Sequence, residues 1–467
     1  MSPRSWLSSR RLELTLVLLL LAVGLFVRLR IIYDGNWRFA GADSVGYLKL
    51  GQELIHHHRY ALSPQHPLAW VRPPLYPIVL ALLMPNGVLQ GPWPALFTFN
   101  FTLDLASGLL VWLMARRLAG PWAGLLGLGA TILNPFTPLY AAAMLTETPA
   151  AFLSTATLAL LVLVGERRPR LGWASAGAGV ALSTLLRPDG LLLGAAFLPA
   201  LIFQAGTRRD RLVRAGLAAL AFTVVFAPWP LRNLVATGAT HPFGGRIDRF
   251  TQPVANYEGY WAWLRSWSTD WTPMTTPTTC FYAPDCPQGL ADLRQRGAYQ
   301  FFDDEAVVQP LIQRRFREGL TPELSHAFAD VAAAHVRARP FLVEVELPLS
   351  RAWSMWTSAN DELLQGRRPW LWHTLWPYMA RWSTWQFLLF LIGGAWLSVV
   401  RRTRAVASPL YVAVLVRTVI LAFTFYCMPR YTLEVLPLIY TLGAAGVVAI
   451  AAAMAERWRR RRSAPPA

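Results

Sequence analysis

Runs of apolar residues long enough to cross a bilayer constrain this chain more than any other feature. A membrane-spanning helix needs roughly 20 apolar residues, and the segment 12–32 supplies one outright. Segments 95–115, 121–141, 148–165, 171–186, 190–206, 212–231, 384–400, 405–425 and 433–455 approach the same length. Composition agrees: charged residues are 15% of the 467, against roughly a quarter in soluble domains. A disordered, collagen-like or disulfide-framework protein is excluded, and an ordinary cytosolic enzyme fits poorly. The expected fold class is an all-α polytopic membrane protein of about ten transmembrane helices.

The formal net charge of +18 would point to nucleic acid in a soluble chain. Here Lys49 is the only lysine, and the arginines fall in short clusters between apolar runs. The clusters are Arg4/Arg10/Arg11, Arg116/Arg117, Arg167/Arg168/Arg170, Arg208/Arg209/Arg211/Arg214, Arg401/Arg402/Arg404 and Arg457 to Arg462. Such clusters set orientation by staying cytoplasmic, so no nucleic-acid partner is expected. Keeping every cluster inside requires an even number of crossings between successive clusters, and the ten segments satisfy this with both termini cytoplasmic. Segment 75–89 is apolar but broken by Pro77, Pro85 and Gly87. Counted as a crossing it would push Arg116 and Arg117 outside, so a re-entrant or interfacial segment is expected. The first apolar run is too long for a signal-peptide core and lacks an Ala-x-Ala site, so it is expected to be retained.

Three regions follow: residues 1–232 with a first outer loop at 33–94, an extracytoplasmic region at 233–381, and C-terminal helices with a basic tail at 382–467. The middle region is rich in tryptophan (261, 263, 267, 271, 353 and 356), which suits a headgroup-level surface. Within it, residues 321–339 read as a helix after a Thr-Pro-Glu start. Of the three cysteines, Cys280 and Cys286 stand close together in a polar Pro/Thr-rich stretch, a plausible disulfide in an oxidising compartment. Cys427 reads as a buried thiol.

Cytoplasmic loops are minimal, so chemistry is expected on the outer face. There, Asp43 opens an amphipathic helix on which Tyr47, Leu50 and Leu54 share one side; Asp is also a favoured N-cap. Arg72 lies in Val71-Arg72-Pro73-Pro74-Leu75-Tyr76-Pro77, where prolines restrict the backbone around a guanidinium able to grip phosphate in two places, or simply to snorkel. Glu147 sits in a tight apolar turn, where an idle carboxylate is costly, although it also suits the start of the following helix. Arg187 ends a 16-residue span, roughly 24 Å of helix against a ~30 Å core. That pulls it towards the outer hydrocarbon edge; a local pair with Asp189 is the alternative. Arg232 and Arg430-Tyr431 fall at the same depth. Asp104 and Arg417 lie mid-span with opposite charge, and a structural ion pair between them is expected. His56, His57, His58 and His66 are expected to be solvated, because consecutive helical residues point in different directions; no metal site is expected.

Together these segments resemble the GT-C class of membrane glycosyltransferases, in particular the bacterial branch similar to protein O-mannosyltransferases and lipid A aminoarabinose transferase. The resemblance rests on Asp43 with Tyr47, Arg72-Pro-Pro-Leu-Tyr76-Pro, Thr146-Glu147-Thr148, Arg187-Pro188, Pro228-Trp229 with Arg232-Asn233, and Arg430-Tyr431. It implies a polyprenyl-phosphate-linked sugar donor, a lipid, glycan or protein acceptor, and inverting transfer on the outer face of a bacterial cytoplasmic membrane, without a cofactor. It also implies Asp43 as base, Glu147 as a second acidic group, and Tyr47, Arg72, Tyr76, Arg187, Arg232, Arg430 and Tyr431 as substrate-binding residues. Ser44 follows Asp43 where mannosyltransferases of this class often carry Asp-Glu. A transporter or lipid-linked glycan flippase built around Asp104 and Arg417 is the competing expectation.

Overall fold

The computed structural model describes residues 3–34, 42–63, 68, 72–87, 93–238, 255–271, 293–358, 370–424 and 427–462. Cys280, Cys286 and His66 lie outside the described residues, and with them the disulfide expectation. Among the described residues the chain is helical, with no strand beyond the single bridge Ala61–Leu68. Seven stretches among the described residues are long and apolar enough to cross a membrane: Arg10–Tyr33, Pro94–Ala119, Glu147–Arg167, Arg208–Thr237, Arg381–Val399, Arg404–Thr424 and Pro429–Arg460. The three remaining expected spans coincide with shorter helices, Pro121–Ile132, Pro169–Leu186 and Pro188–Ala196 continued by Phe197–Phe203. Pro94, Pro121, Pro169, Pro188 and Pro228 open their helices, where the missing N–H is not needed and φ is already helical.

The helices alternate in direction, so the chain's charges separate to two ends of the bundle. At one end Glu13 binds Arg116 at 2.7 Å and Glu166 binds Arg117. Trp173 donates to Gln204 at 3.0 Å there, and Arg404 lies 5.0 Å over the ring of Phe203. At the other end Asp43, Glu147, Arg187 and Arg430 gather. Close packing is bought with small residues: a Cβ on Gly446 would stand 2.3 Å from Gly393 Cα, so the helices Trp370–Val399 and Leu436–Arg462 touch backbone to backbone.

The mid-span expectation needs correction. Asp104 does not meet Arg417; it accepts from Arg28 Nε at 2.9 Å and Nη2 at 2.5 Å. Arg28 is fully buried and also reaches Gly24 O at 2.8 Å. A charge in the apolar layer takes whichever opposite charge its helix packs against, and the first helix supplies it. Arg417 belongs elsewhere, as shown below.

Segment 75–89 contains a nine-residue helix, Leu75–Leu83, too short to span. It packs under the helix Ala42–His57, where a Cβ on Gly51 would meet Pro77 O at 2.6 Å. The middle region builds a helical cap from Ala255–Arg265, Glu305–Glu318 and Pro322–Ala338. Thr321 caps the last of these, accepting from Leu324 N at 3.2 Å. Its tryptophans divide: Trp263, Trp267 and Trp356 are buried as core, whereas Trp353 is exposed. The headgroup expectation gives way for Trp263 and Trp267, which pack with Tyr260 and Phe328, and for Trp356, which stacks on Phe387. Arg351 fastens the cap to the bundle by donating to Ala422 O, Arg265 O and Ser268 O, each at 2.9 Å.

Candidate active site

Asp43 stands in the first turn of the helix Ala42–His57. Ser44 anchors that turn by donating to Met144 O at 2.8 Å, and Asn100 holds the same 141–144 stretch through Ala141 O and Ala143 O, both 3.2 Å. This stretch leads directly into Thr146 and Glu147. Residues far apart in sequence are thus set side by side by backbone contacts, before any charge is considered.

Two arginines flank the Asp43 carboxylate. Arg72 Nη2 donates to Oδ1 at 3.1 Å and Nη1 to the Asp43 carbonyl at 3.4 Å. Arg430 Nη2 donates to Oδ2 at 3.5 Å. Arg72 also lies 4.4 Å over the Tyr47 ring, a cation–π contact. Behind it a Cβ on Gly46 would come within 3.2 Å of the guanidinium carbon, so the glycine makes room for Arg72. Tyr60 holds the Arg72 backbone, donating to Arg72 O and Pro73 O at 3.0 Å. Burial pushes the Tyr47 phenol above its ordinary pKa, leaving it a neutral hydrogen-bond donor.

Arg430 continues inward: its Nε lies 3.8 Å from Glu147 Oε1, and Arg187 Nη1 approaches the same oxygen at 3.7 Å. Arg187 also donates to Thr146 Oγ1 at 3.0 Å and lies 4.8 Å over the Tyr431 ring. Its Nε meets Glu434 Oε1 at 2.8 Å and Asp189 Oδ1 at 3.3 Å. Arg417 closes the far side, with Nη2 at 2.7 Å from Asp189 Oδ2 and 2.8 Å from Glu434 Oε2. The local Arg187–Asp189 pair is therefore real, and it is one edge of a larger network.

Four carboxylates and four arginines share this cluster, graded from open to closed. The Asp43 side chain is 32% exposed, Arg72 20% and Arg430 17%, whereas Glu147 and Glu434 are each 2% exposed. Glu147 Oε2 and the Tyr76 hydroxyl are buried without a hydrogen-bond partner. Buried polar atoms are nearly always paired, so both mark places where a ligand atom would be welcome. Tyr76 stands edge-on to Tyr47 at 5.1 Å, which keeps that hydroxyl in the cluster.

Of the residues expected from the sequence, Asp43, Tyr47, Arg72, Tyr76, Glu147, Arg187, Arg430 and Tyr431 are brought together. Arg232 is one layer away: it lies 5.5 Å over Tyr60 and 5.4 Å over Trp229, and donates to Asn233 Oδ1 at 3.0 Å. It reaches the cluster through Tyr60 rather than directly. Glu434 and Thr146 were missed as functional candidates, and Arg417 was assigned the wrong partner. The signal for Glu434 was present: a carboxylate one helical turn after Arg430, at the start of an apolar run.

The family model for dolichyl-phosphate-mannose-protein mannosyltransferase matches residues 71–231, about a third of the chain. No curated protein matches the chain by sequence. Among solved structures, the oligosaccharyltransferase AglB from Archaeoglobus fulgidus, in complex with an inhibitory peptide and a dolichol-phosphate, superposes with a TM-score of 0.50 at 13% identity, covering 98% of this chain and 53% of its own. Its apo form gives 0.50 at 12% identity, covering 97% and 52%. ArnT from Cupriavidus metallidurans bound to undecaprenyl phosphate gives 0.40 at 16% identity, covering 95% and 78%. The chain spans about half the length of the archaeal oligosaccharyltransferase it matches. An all-α multi-pass bundle with this superposition has the fold of the GT-C class of membrane glycosyltransferases.

Proposed function

We propose that this chain is a membrane glycosyltransferase that moves a sugar from a polyprenyl-phosphate-linked donor to an acceptor hydroxyl, with inversion at the anomeric carbon. The observation that carries the proposal is the Asp43 carboxylate, the most open acid of the cluster, flanked by Arg72 and Arg430. The family match over residues 71–231 takes in Arg72, Glu147 and Arg187 and supports the reaction class. The dolichol-phosphate bound by the archaeal relative of the same fold supports a lipid phosphate as leaving group.

In the resting site the arginines are neutralised by carboxylates. An arriving donor phosphate competes for Arg72 and Arg430, and these guanidiniums turn from Asp43 to the phosphate oxygens. That loosens the carboxylate just as the electrophile arrives. Asp43 then takes the proton of the acceptor hydroxyl. The acceptor oxygen bonds to the anomeric carbon, and the bond from that carbon to the phosphate oxygen breaks with its electron pair. The lipid phosphate leaves with the added negative charge, which Arg72 and Arg430 stabilise. Arginine stays charged throughout. Glu147, with an unpaired oxygen, orients the sugar or acceptor. The arginine-rich end of the bundle is cytoplasmic by the positive-inside rule, so the reaction faces the extracytoplasmic side of a bacterial cytoplasmic membrane.

The test is consumption of a panel of polyprenyl-phosphate sugars by the purified protein. Asp43→Asn is expected to lower turnover by about 10²–10⁴ while the protein keeps its helical content and unfolding temperature. Near-normal turnover in that variant removes Asp43 as base; no consumption of any lipid-linked sugar by the native chain removes the enzyme.

A further inference from the structure

At the end of the bundle away from Asp43, a cavity of about 1020 Å³ lies between the helix Pro94–Ala119 and the stretch Glu147–Arg167. Its wall is apolar, with Leu109, Leu113, Ala156, Leu160 and Leu163 facing it. Its rim is basic, formed by Arg116, Arg117, Arg167 and Arg168 together with Glu166. The volume is at the upper end of the range for small-molecule sites, roughly 300–1,000 Å³.

The wall is not a regular helix. Leu160–Val164 forms a π turn within the helix that begins at Glu147, a departure that costs regular hydrogen bonding and occurs mostly where function needs the altered surface. The rim charges are unevenly used. Glu13 holds Arg116 at 2.7 Å, and Glu166 holds Arg117. Arg167 and Arg168 are exposed and make no side-chain ion pair among the described residues. Two surplus positive charges therefore stand at the mouth of an apolar slot, at the helix ends where lipid headgroups lie.

We propose that this cavity binds an anionic glycerophospholipid of the arginine-side leaflet, its acyl chain along Leu160 and Leu163 and its phosphate beneath Arg167 and Arg168. A zwitterionic lipid would leave the surplus charge uncompensated, and a free phosphate would leave the apolar wall bare. Basic pockets between membrane helices on the cytoplasmic side suit acidic headgroups for this reason. The site is separate from the Asp43 cluster and does not depend on the sugar chemistry.

The full-length protein, purified in detergent and stripped of lipid, is titrated with phosphatidylglycerol, phosphatidylcholine, undecaprenyl phosphate or inorganic phosphate. Bound lipid is read by native mass spectrometry and stabilisation by thermal unfolding. Phosphatidylglycerol is expected to bind and raise the unfolding temperature, the others much less. The double variant Arg167→Ala/Arg168→Ala is expected to lose roughly tenfold to thirtyfold in phosphatidylglycerol affinity. Arg208→Ala/Arg209→Ala, at the same end but outside the cavity, is expected to keep it. Ala156→Phe, which narrows the slot beside Leu160 without touching a charge, is expected to cost most of the retention. Equal binding of phosphatidylcholine, preferred binding of undecaprenyl phosphate, displacement by inorganic phosphate, or equal losses in the two arginine pairs each overturns the assignment. Should the double variant fail to fold, Ala156→Phe decides: undiminished retention overturns the site and lost retention supports it.

Discussion

Asp43 and Arg430 are 387 positions apart in sequence, yet Arg430 Nη2 lies 3.5 Å from Asp43 Oδ2. This contact joins the helix Ala42–His57 to the last membrane stretch. It also carries Glu147, because Arg430 reaches both acids. Arg430→Ala is therefore expected to reduce sugar transfer more than Arg232→Ala, whose guanidinium stacks on Tyr60 and Trp229 instead. Turnover of both variants on one lipid-linked donor checks the order.

Arg72 holds Asp43 with one edge and covers Tyr47 with its face. Lysine provides the charge but neither the planar fork nor the stacking. Arg72→Lys is expected to retain partial transfer with a raised donor KM, and Arg72→Ala to lose most of it. Steady-state kinetics against donor concentration separates the two; a native donor KM in Arg72→Ala would assign Arg72 no part in donor binding.

Glu434 is buried between Arg187 and Arg417, with contacts of 2.8 Å to each. Removing one partner of a buried network leaves uncompensated charge and costs about 3–5 kcal/mol. Glu434→Ala is expected to lower the unfolding temperature in detergent by several degrees and to reduce transfer with it. Glu434→Gln, which keeps the shape, is expected to lose less stability. Thermal unfolding of both variants checks this.

The Arg28–Asp104 pair predicts a different pattern. Asp104→Ala alone strands a fully buried guanidinium and is expected to cost about 3–5 kcal/mol, whereas Arg28→Met with Asp104→Leu, both apolar, is expected to recover most of it. Sugar transfer by the double variant should stay near normal, since neither residue contacts the Asp43 cluster. Abolished function in a stable double variant would revive a transport role for the mid-span charges.

Gly51 carries the contact between the helix Ala42–His57 and the short helix Leu75–Leu83. A methyl there would press on Pro77 O at 2.6 Å, and overpacking of this kind costs about 1–3 kcal/mol. Gly51→Ala is expected to separate Asp43 from Arg72 and lower transfer while leaving the overall helical content unchanged, as circular dichroism and activity together would report.

The sequence by itself determined the all-α polytopic class, the apolar segments, the break in segment 75–89 that keeps it from being a full span, and the clustering of arginines between apolar runs. Each follows from local physics: the length of apolar runs, the missing N–H of proline and the cost of carrying arginine across a bilayer. It also picked out Asp43, Arg72, Glu147, Arg187 and Arg430, because charged groups at the edges of apolar segments need a reason to be there. Which charge meets which was decided by tertiary structure alone. Asp104 had to have a partner, but only the packing of the first helix made it Arg28 rather than Arg417. Glu434 joined the site because its helix turns it towards Arg187 and Arg417. Trp263 and Trp267 became core beside Tyr260 and Phe328, and Trp356 against Phe387, while Trp353 stayed exposed. Burial and pairing are properties of neighbours brought in from distant segments, and no stretch of sequence contains its own neighbours.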